Sequence, residues 1–304
     1  MARIWLAILI ASFGWGTGGV ATRASLNEGA SPVTIAVYRG AIATVAVVVF
    51  LVIQRRGIIP RSMAALRVGL TMGITNMAVP FVLSNIALQY ASAGFLGLMT
   101  ALIPILTAVM AHFLLKGERL TGVRVVGLVV ALAGVAALML SGDSGLAEGG
   151  RPVYAGILGL ISVLAISYGG VYAKRFAGQY RTLDASGIHF LSGTMVIAVI
   201  WLVGEGLPKA QTLRALSLMA YLGLVSTFAA FALYYWMLQR VSATYASLTG
   251  YVVPVFAIVS GIVLLDERLQ AGIVVGGALI LIGVIITDRS YRRPGRLRTP
   301  SATG

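Results

Sequence analysis

Nine carboxylates, two histidines and no cysteine are the material from which this 304-residue chain could build catalysis or a metal site. Their spacing builds neither. The acids, from Glu28 to Asp288, all fall at the ends of apolar runs or in the links between them, and His112 and His189 stand in separate runs without ligand spacing. Absence of cysteine removes disulfides, thiolate nucleophiles and thiolate ligands together. The segment GWGTGG (14–19) resembles a phosphate loop only superficially, because it lies in a hydrophobic run with no strand before it. No catalytic residue, metal or cofactor is therefore expected. What remains are neutral polar and aromatic side chains inside the apolar runs: Trp15, Tyr38, Asn76, Met99, Tyr168, Ser226, Tyr234 and Tyr251. Such groups bind without reacting, and they suit a substrate with a hydrophobic body and a small polar head.

The elements that must hold these groups are membrane helices. Hydrophobic residues make up 59% of the chain and charged ones 11%, with a mean hydropathy of +0.94, far from an average soluble domain. Crossing the hydrocarbon takes about 20 apolar residues. Ten runs qualify, at 3–22, 33–53, 67–89, 93–115, 121–140, 153–173, 184–204, 215–238, 243–265 and 270–287. Links such as QYAS (89–92) leave no room for a soluble domain. The net charge of +14 points to anionic lipid at the loops, since no basic groove interleaved with aromatics is present to suggest nucleic acid. Lysine and arginine concentrate at the N-terminus, in alternate loops and in the tail 289–304, so both termini are expected in the cytoplasm and the tail disordered there. Arg3 ahead of an apolar run also fits a signal peptide, but its removal would leave nine spans and spoil an internal repeat.

That repeat appears when the chain is slid along itself. An offset of 150 residues pairs Gly73 with Gly223, Phe81 with Phe231, Leu88-Gln89 with Leu238-Gln239, Ser92-Ala93 with Ser242-Ala243 and Pro104 with Pro254. Neighbouring offsets pair Gly18-Gly19-Val20 with Gly169-Gly170-Val171 and Glu118-Arg119-Leu120 with Glu267-Arg268-Leu269. The reading is a duplicated five-helix unit, 1–142 and 153–288, joined by a Gly-rich linker at 143–152. Five is odd, so the second copy enters from the opposite face. The expected fold is all-α integral membrane, with ten transmembrane helices as two inverted five-helix repeats around a central cavity, the architecture of alternating-access transporters.

These features together resemble the EamA-type permeases of the drug/metabolite transporter superfamily: WG at 15 and 16 with a basic residue closing the first helix, a proline in the fourth and ninth, and GERL or DERL before the fifth and tenth. Within it they are most similar to the bacterial aromatic amino-acid exporter branch. The resemblance implies an inner-membrane protein in which helices 1, 3, 4, 6, 8 and 9 surround the cavity while 5 and 10 lie outside. It implies export of aromatic or other hydrophobic, neutral amino acids, with exporters of drugs or other metabolites as the alternative. Small multidrug relatives carry a glutamate in their first helix. This chain has none there, so transport is expected to follow the substrate gradient, with the two histidines keeping proton coupling open.

Several positions carry two readings. Trp15 is either a cavity wall or packing, and each polar candidate either faces a wet cavity or makes an interhelical hydrogen bond. Arg39, beside Tyr38, either meets a substrate carboxylate or snorkels outward. Gly18, Gly19, Gly169 and Gly170 permit bending or close approach, and Pro104 and Pro254 are expected to bend the fourth and ninth helices as gates. Arg23 is expected beyond the first helix as an interface anchor. Small residues on helices 5 and 10, such as Gly127, Gly134, Gly276 and Gly283, fit either dimer contacts or packing within the chain.

Overall fold

The computed structural model describes residues 2–60, 62–115, 118, 120–206, 210–238, 240 and 249–291. Those residues form helices joined by turns and short loops, with no strand among them. Eight helices are long and apolar enough to cross a membrane, and two shorter apolar ones, Thr249–Leu265 and Ala271–Thr287, follow. The repeat matches at Arg119, Gln239, Ser242 and Ala243, and the tail from residue 292, lie outside the described residues.

In chain order the elements are α1 (Ala2–Asn27), α2 (Pro32–Ile53), α3 (Met63–Met72), α4 (Val79–Ala87), α5 (Ala93–Thr100), α6 (Ile103–Leu114), α7 (Gly122–Leu140), α8 (Pro152–Arg175), α9 (Thr182–Gly204), α10 (Leu213–Gly223), α11 (Ala230–Leu238), α12 (Thr249–Leu265) and α13 (Ala271–Tyr291). Two π turns join neighbouring helices: π1 (Gly73–Ala78) between α3 and α4, and π2 (Leu224–Ala229) between α10 and α11. Pro80 accounts for the first, because its missing N–H cannot satisfy the carbonyl of Asn76. Starts are marked where a donor would otherwise be orphaned. Ser31, Ser92 and Thr212 accept from the backbone N–H groups of Thr34, Phe95 and Ala215.

Pro104 coincides with an interruption, α5 ending at Thr100 and α6 starting at Ile103, whereas Pro254 lies inside an unbroken α12. Gly18 and Gly19 sit in an α1 that runs through them without a break, and Gly169 and Gly170 in an equally continuous α8. Arg23 is inside α1, where its guanidinium donates to the Leu88 carbonyl; the helix runs on to Asn27 because Ser25 and its neighbours still pack against protein.

Helix α7 packs chiefly on α13. A Cβ on Gly134 would stand 2.7 Å from the carbonyl oxygen of Gly276 and 2.7 Å from the nitrogen of Ile280, and one on Gly283 would stand 2.5 Å from the Gly127 oxygen. The four glycines thus bring two backbones together within one chain. The main core lies between α5, α6, α7, α8 and α13 and contains Phe95, Met99, Leu102 and Leu138, and a second, aromatic core joins α2, π1 and α9 to π2 and α11 through Phe81, Phe190, Phe228 and Phe231.

Candidate functional site

A cavity of about 460 Å³ lies beside the aromatic core. Its lining comes from the first turns of α1 (Arg3, Leu6, Ile10), the end of α2 (Val47, Phe50), the start of α9 (Leu183, Ser186, Phe190), and Phe228, Phe231, Ala232, Leu233 and Trp236 of π2 and α11. All these segments meet at the end of the bundle that holds the N-terminus. The lining is almost wholly apolar, with the guanidinium of Arg3 and the hydroxyl of Ser186 as polar exceptions.

None of the eight candidate binding residues lines this cavity. Trp15 and Tyr234 come nearest. The Trp15 indole meets the Phe231 and Tyr234 rings at centroid distances of 5.5 Å each, so it backs a wall that Phe231 faces. Met99, 1% exposed, belongs to the main core and touches Gly159, while Tyr251 packs on the same cluster from α12. Tyr168 is 40% exposed on α8, with its ring 6.1 Å from Tyr172. Asn76 reaches across to α8, where its Nδ2 donates to the Ile166 carbonyl at 3.4 Å and its Oδ1 accepts from Thr75 at 2.9 Å. A Cβ at Gly169 would overlap both Asn76 and Thr75, so α8 needs glycine there for π1 to approach. Apolar cavity residues such as Leu6 and Val47 look like lipid-facing ones in a sequence. That is why reading polar residues at mid-depth missed them.

A second constellation sits toward the opposite end. Arg39, seven residues into α2, points at π2. Its Nε donates to Thr227 Oγ1 at 2.7 Å, its Nη2 to Ser226 Oγ at 3.5 Å, and its guanidinium carbon lies 3.9 Å from the centre of the Phe81 ring. Ser226 is fully buried and rests in the notch left by Gly18 of α1. Tyr38, next in sequence, turns the other way to meet Trp201 edge-on at 6.4 Å. No described carboxylate lies within 4.0 Å of Arg39; the ion pairs among the described residues are Arg56–Asp184, Lys174–Glu118 and Arg214–Glu28.

The histidines differ. His112 Nδ1 is 3.0 Å from the Glu118 carbonyl oxygen and 3.3 Å from the Leu120 nitrogen, so its ring is tied to the loop that follows α6. His189, 2% exposed, has no hydrogen-bond partner at either ring nitrogen among the described residues. Its ring packs on Phe190 and, edge-on at 6.0 Å, on Phe231.

The end opposite the cavity is stitched. Glu205, closing α9, accepts from Ser31 and from Thr34 (2.9 Å) at the start of α2. Glu267 accepts from the backbone of Ala93 (2.7 Å) and Gly94 (3.3 Å) at the start of α5, and Asp143 from Gly272 (2.7 Å) at the start of α13. Glu28 pairs with Arg214. Glu28, Glu205 and Glu267 reach across the mid-chain link and Asp143 reaches out from it, each to a helix start, where N–H groups and the macrodipole favour a negative group. Burial raises the pKa of Glu267 above the ordinary glutamate value, an effect that the two amides and Arg23 offset only in part. At the cavity end Glu118 is held below its ordinary value by the hydrogen bond from Lys174. Sequence placed these acids in loops without showing what they hold.

The geometry is that of a membrane bundle open toward one end and closed at the other, with no reacting group among the described residues of its cavity. The EamA-like transporter family model matches residues 2–140 and again 153–287. Among curated proteins the chain is 24% identical to the uncharacterized transporter YoaV of Bacillus subtilis, over 96% of this chain and 99% of the relative. It is 27% identical to an uncharacterized transporter of Archaeoglobus fulgidus (94% and 98%) and 28% identical to a probable terminal-alkyne amino-acid exporter of Streptantibioticus cattleyicolor (76% and 75%). A solved crystal structure shares the fold with a TM-score of 0.66 at 20% identity, covering 96% of this chain and 99% of that one. Matched by this family along nearly its whole length and by relatives that are themselves transporters, the chain is a transporter and not an enzyme: it belongs to the EamA-like transporter family.

Proposed function

We propose that the protein exports hydrophobic or aromatic amino acids across a bacterial inner membrane, by alternating access between two inverted five-helix repeats with both termini in the cytoplasm. The observation that carries this reading is the cavity, an aromatic pocket on the N-terminal side whose far end is closed. Its volume of about 460 Å³ lies within the range of sites for drug-sized molecules, and its lining of Phe50, Phe190, Phe228, Phe231 and Trp236 suits an apolar side chain. With the N-terminus in the cytoplasm, this is the loading state of an exporter. The repeat is supported by the two family matches either side of 143–152 and by the π turns, which begin within one residue of equivalent places in the two halves, Gly73 and Leu224. The relative from Streptantibioticus cattleyicolor supports an amino-acid substrate by its name.

The test is flux of labelled tryptophan, phenylalanine, methionine and threonine into liposomes containing the purified protein, with and without a pH gradient. Saturable flux of the aromatic pair, stronger than that of threonine, is expected. The described carboxylates all lie outside the cavity, and flux that ignores the gradient is expected on that ground. Flux of none of the four would move the substrate to drugs or other metabolites.

A further inference from the structure

Arg39 carries a charge in the aromatic core that no described neighbour answers. An arginine inside a membrane is costly and is kept where it meets an anion, a water-filled space or a partner side chain. The partners present here are two neutral hydroxyls and a ring face. A guanidinium has five N–H groups; Thr227 and Ser226 take one each, and the remaining three, including both on Nη1, have no acceptor among the described residues. Snorkelling is not the outcome, because the side chain is pinned to π2 and Phe81 and not extended toward the end of α2. The next residue of π2, Phe228, lines the cavity. The guanidinium lies on Phe81, in the same aromatic core that supplies Phe190, Phe228 and Phe231 to the cavity wall. π turns are frequent at functional sites, since the extra residue alters the hydrogen-bond ladder locally.

We propose that Arg39, positioned by Ser226 and Thr227, is the carboxylate-binding site of the transport path, taking the anionic head of a substrate whose apolar body occupies the aromatic cavity. This rests on the reading of the protein as an exporter of hydrophobic amino acids and specifies which end of the substrate is recognised. A planar guanidinium with a free pair of parallel N–H groups suits bidentate carboxylate recognition, which a lysine ammonium does not reproduce. Phe81, against the ring face, and the two hydroxyls hold that plane.

The experiment compares wild type, Arg39→Gln and Arg39→Lys in detergent, measuring binding of 3-phenylpropionate, phenylalanine and phenylalaninamide by competition against a labelled wild-type ligand, together with melting temperature. Wild type is expected to bind the two carboxylates and to bind the amide at least tenfold more weakly. Arg39→Gln should lose that preference while keeping its melting temperature, because it removes a desolvated charge, and Arg39→Lys should keep only part of it. Equal binding of acid and amide by wild type, or an unchanged preference in Arg39→Gln, would overturn the proposal. A fall in melting temperature with the preference intact would make Arg39 a structural clamp and overturn it as well. If 3-phenylpropionate binds as expected while liposomes carry no amino acid, the carboxylate site stands and the amino-acid reading fails.

Discussion

Gly169 and Gly170 are adjacent on α8, yet alanine at the two positions should act in opposite directions. A Cβ at Gly170 meets nothing within 4 Å, so Gly170→Ala exchanges the poorest ordinary helix former for the best one, a gain of about 1 kcal/mol. At Gly169 the same methyl overlaps Asn76 Oδ1 and Thr75 Oγ1 and comes within 3.0 Å of Asn76 Cγ. The amide must then swing away, which breaks the Thr75–Asn76 bond and the Asn76–Ile166 bond. Two neutral hydrogen bonds at about 1 kcal/mol each give a loss near 2 kcal/mol. The helix-propensity gain of about 1 kcal/mol is common to both variants, so they should differ by about 2 kcal/mol, Gly170→Ala gaining and Gly169→Ala losing about 1. At roughly 2 °C per kcal/mol for a chain of this size, that is about 4 °C between their melting temperatures. Intrinsic tryptophan fluorescence during heating in detergent measures it, and liposome flux run in parallel tests the expectation that these glycines bend. A Gly170→Ala protein of raised stability and normal flux would make Gly170 a spacer, whereas raised stability with impaired flux would make it a hinge. Equal melting temperatures for the two variants would refute the packing argument.

Other outcomes follow from the same reasoning. Gly134→Ala pushes backbone against backbone at 2.7 Å and should cost about 1 to 3 kcal/mol, seen as a lower melting temperature. His189→Leu removes from an aromatic core two ring nitrogens that have no partner among the described residues and should stabilise the fold by about 1 to 3 kcal/mol, seen as a higher melting temperature; a lower one would mean that the imidazole is satisfied by a group bound there. Because the pKa of Glu267 is raised in the closed arrangement, that arrangement holds the proton more tightly than a solvated glutamate does. Closure is then favoured on acidification and weakened as pH rises through the titration of the buried group. With no native cysteine, a single cysteine at Leu96 labelled by a maleimide reports this: labelling should slow as pH falls, after correction for thiol ionisation, and Glu267→Gln should abolish the dependence. The opposite slope would sink the assignment.

Span positions were legible because an apolar run of about 20 residues matches the hydrocarbon thickness and outlasts an ordinary core helix, and the links between runs carried the charge bias. Partners across the bundle were not. Gly169 and Asn76 could each be singled out from sequence, but nothing in a linear chain says that one is the seat of the other. The cavity was invisible for a plainer reason, since Leu6, Val47 and Phe228 carry no mark that separates a wall from a lipid-facing surface. Tyr168 stands exposed on α8 and Met99 is buried in the main core, and neither reaches the apolar cavity. Arg39 was legible as an anomaly, and its three unmatched donors became visible only once Thr227 and Ser226 were placed beside it.

The glycine seam between α7 and α13 limits how this molecule can move. Where side chains interdigitate, helices can slip by changing rotamers. Here carbonyl oxygens of one helix stand close to glycine α-carbons of the other, as at Gly127 against Gly283 and Gly134 against Gly276. Sliding by a fraction of an ångström would drive main chain into main chain. One helix of this bearing precedes the mid-chain link and the other closes the second half, so the two halves share an axle that resists translation. Rotation about that line is the motion it leaves free, and the largest displacements must then fall farthest from it, on the side where α1, α2, α9 and α11 enclose the cavity.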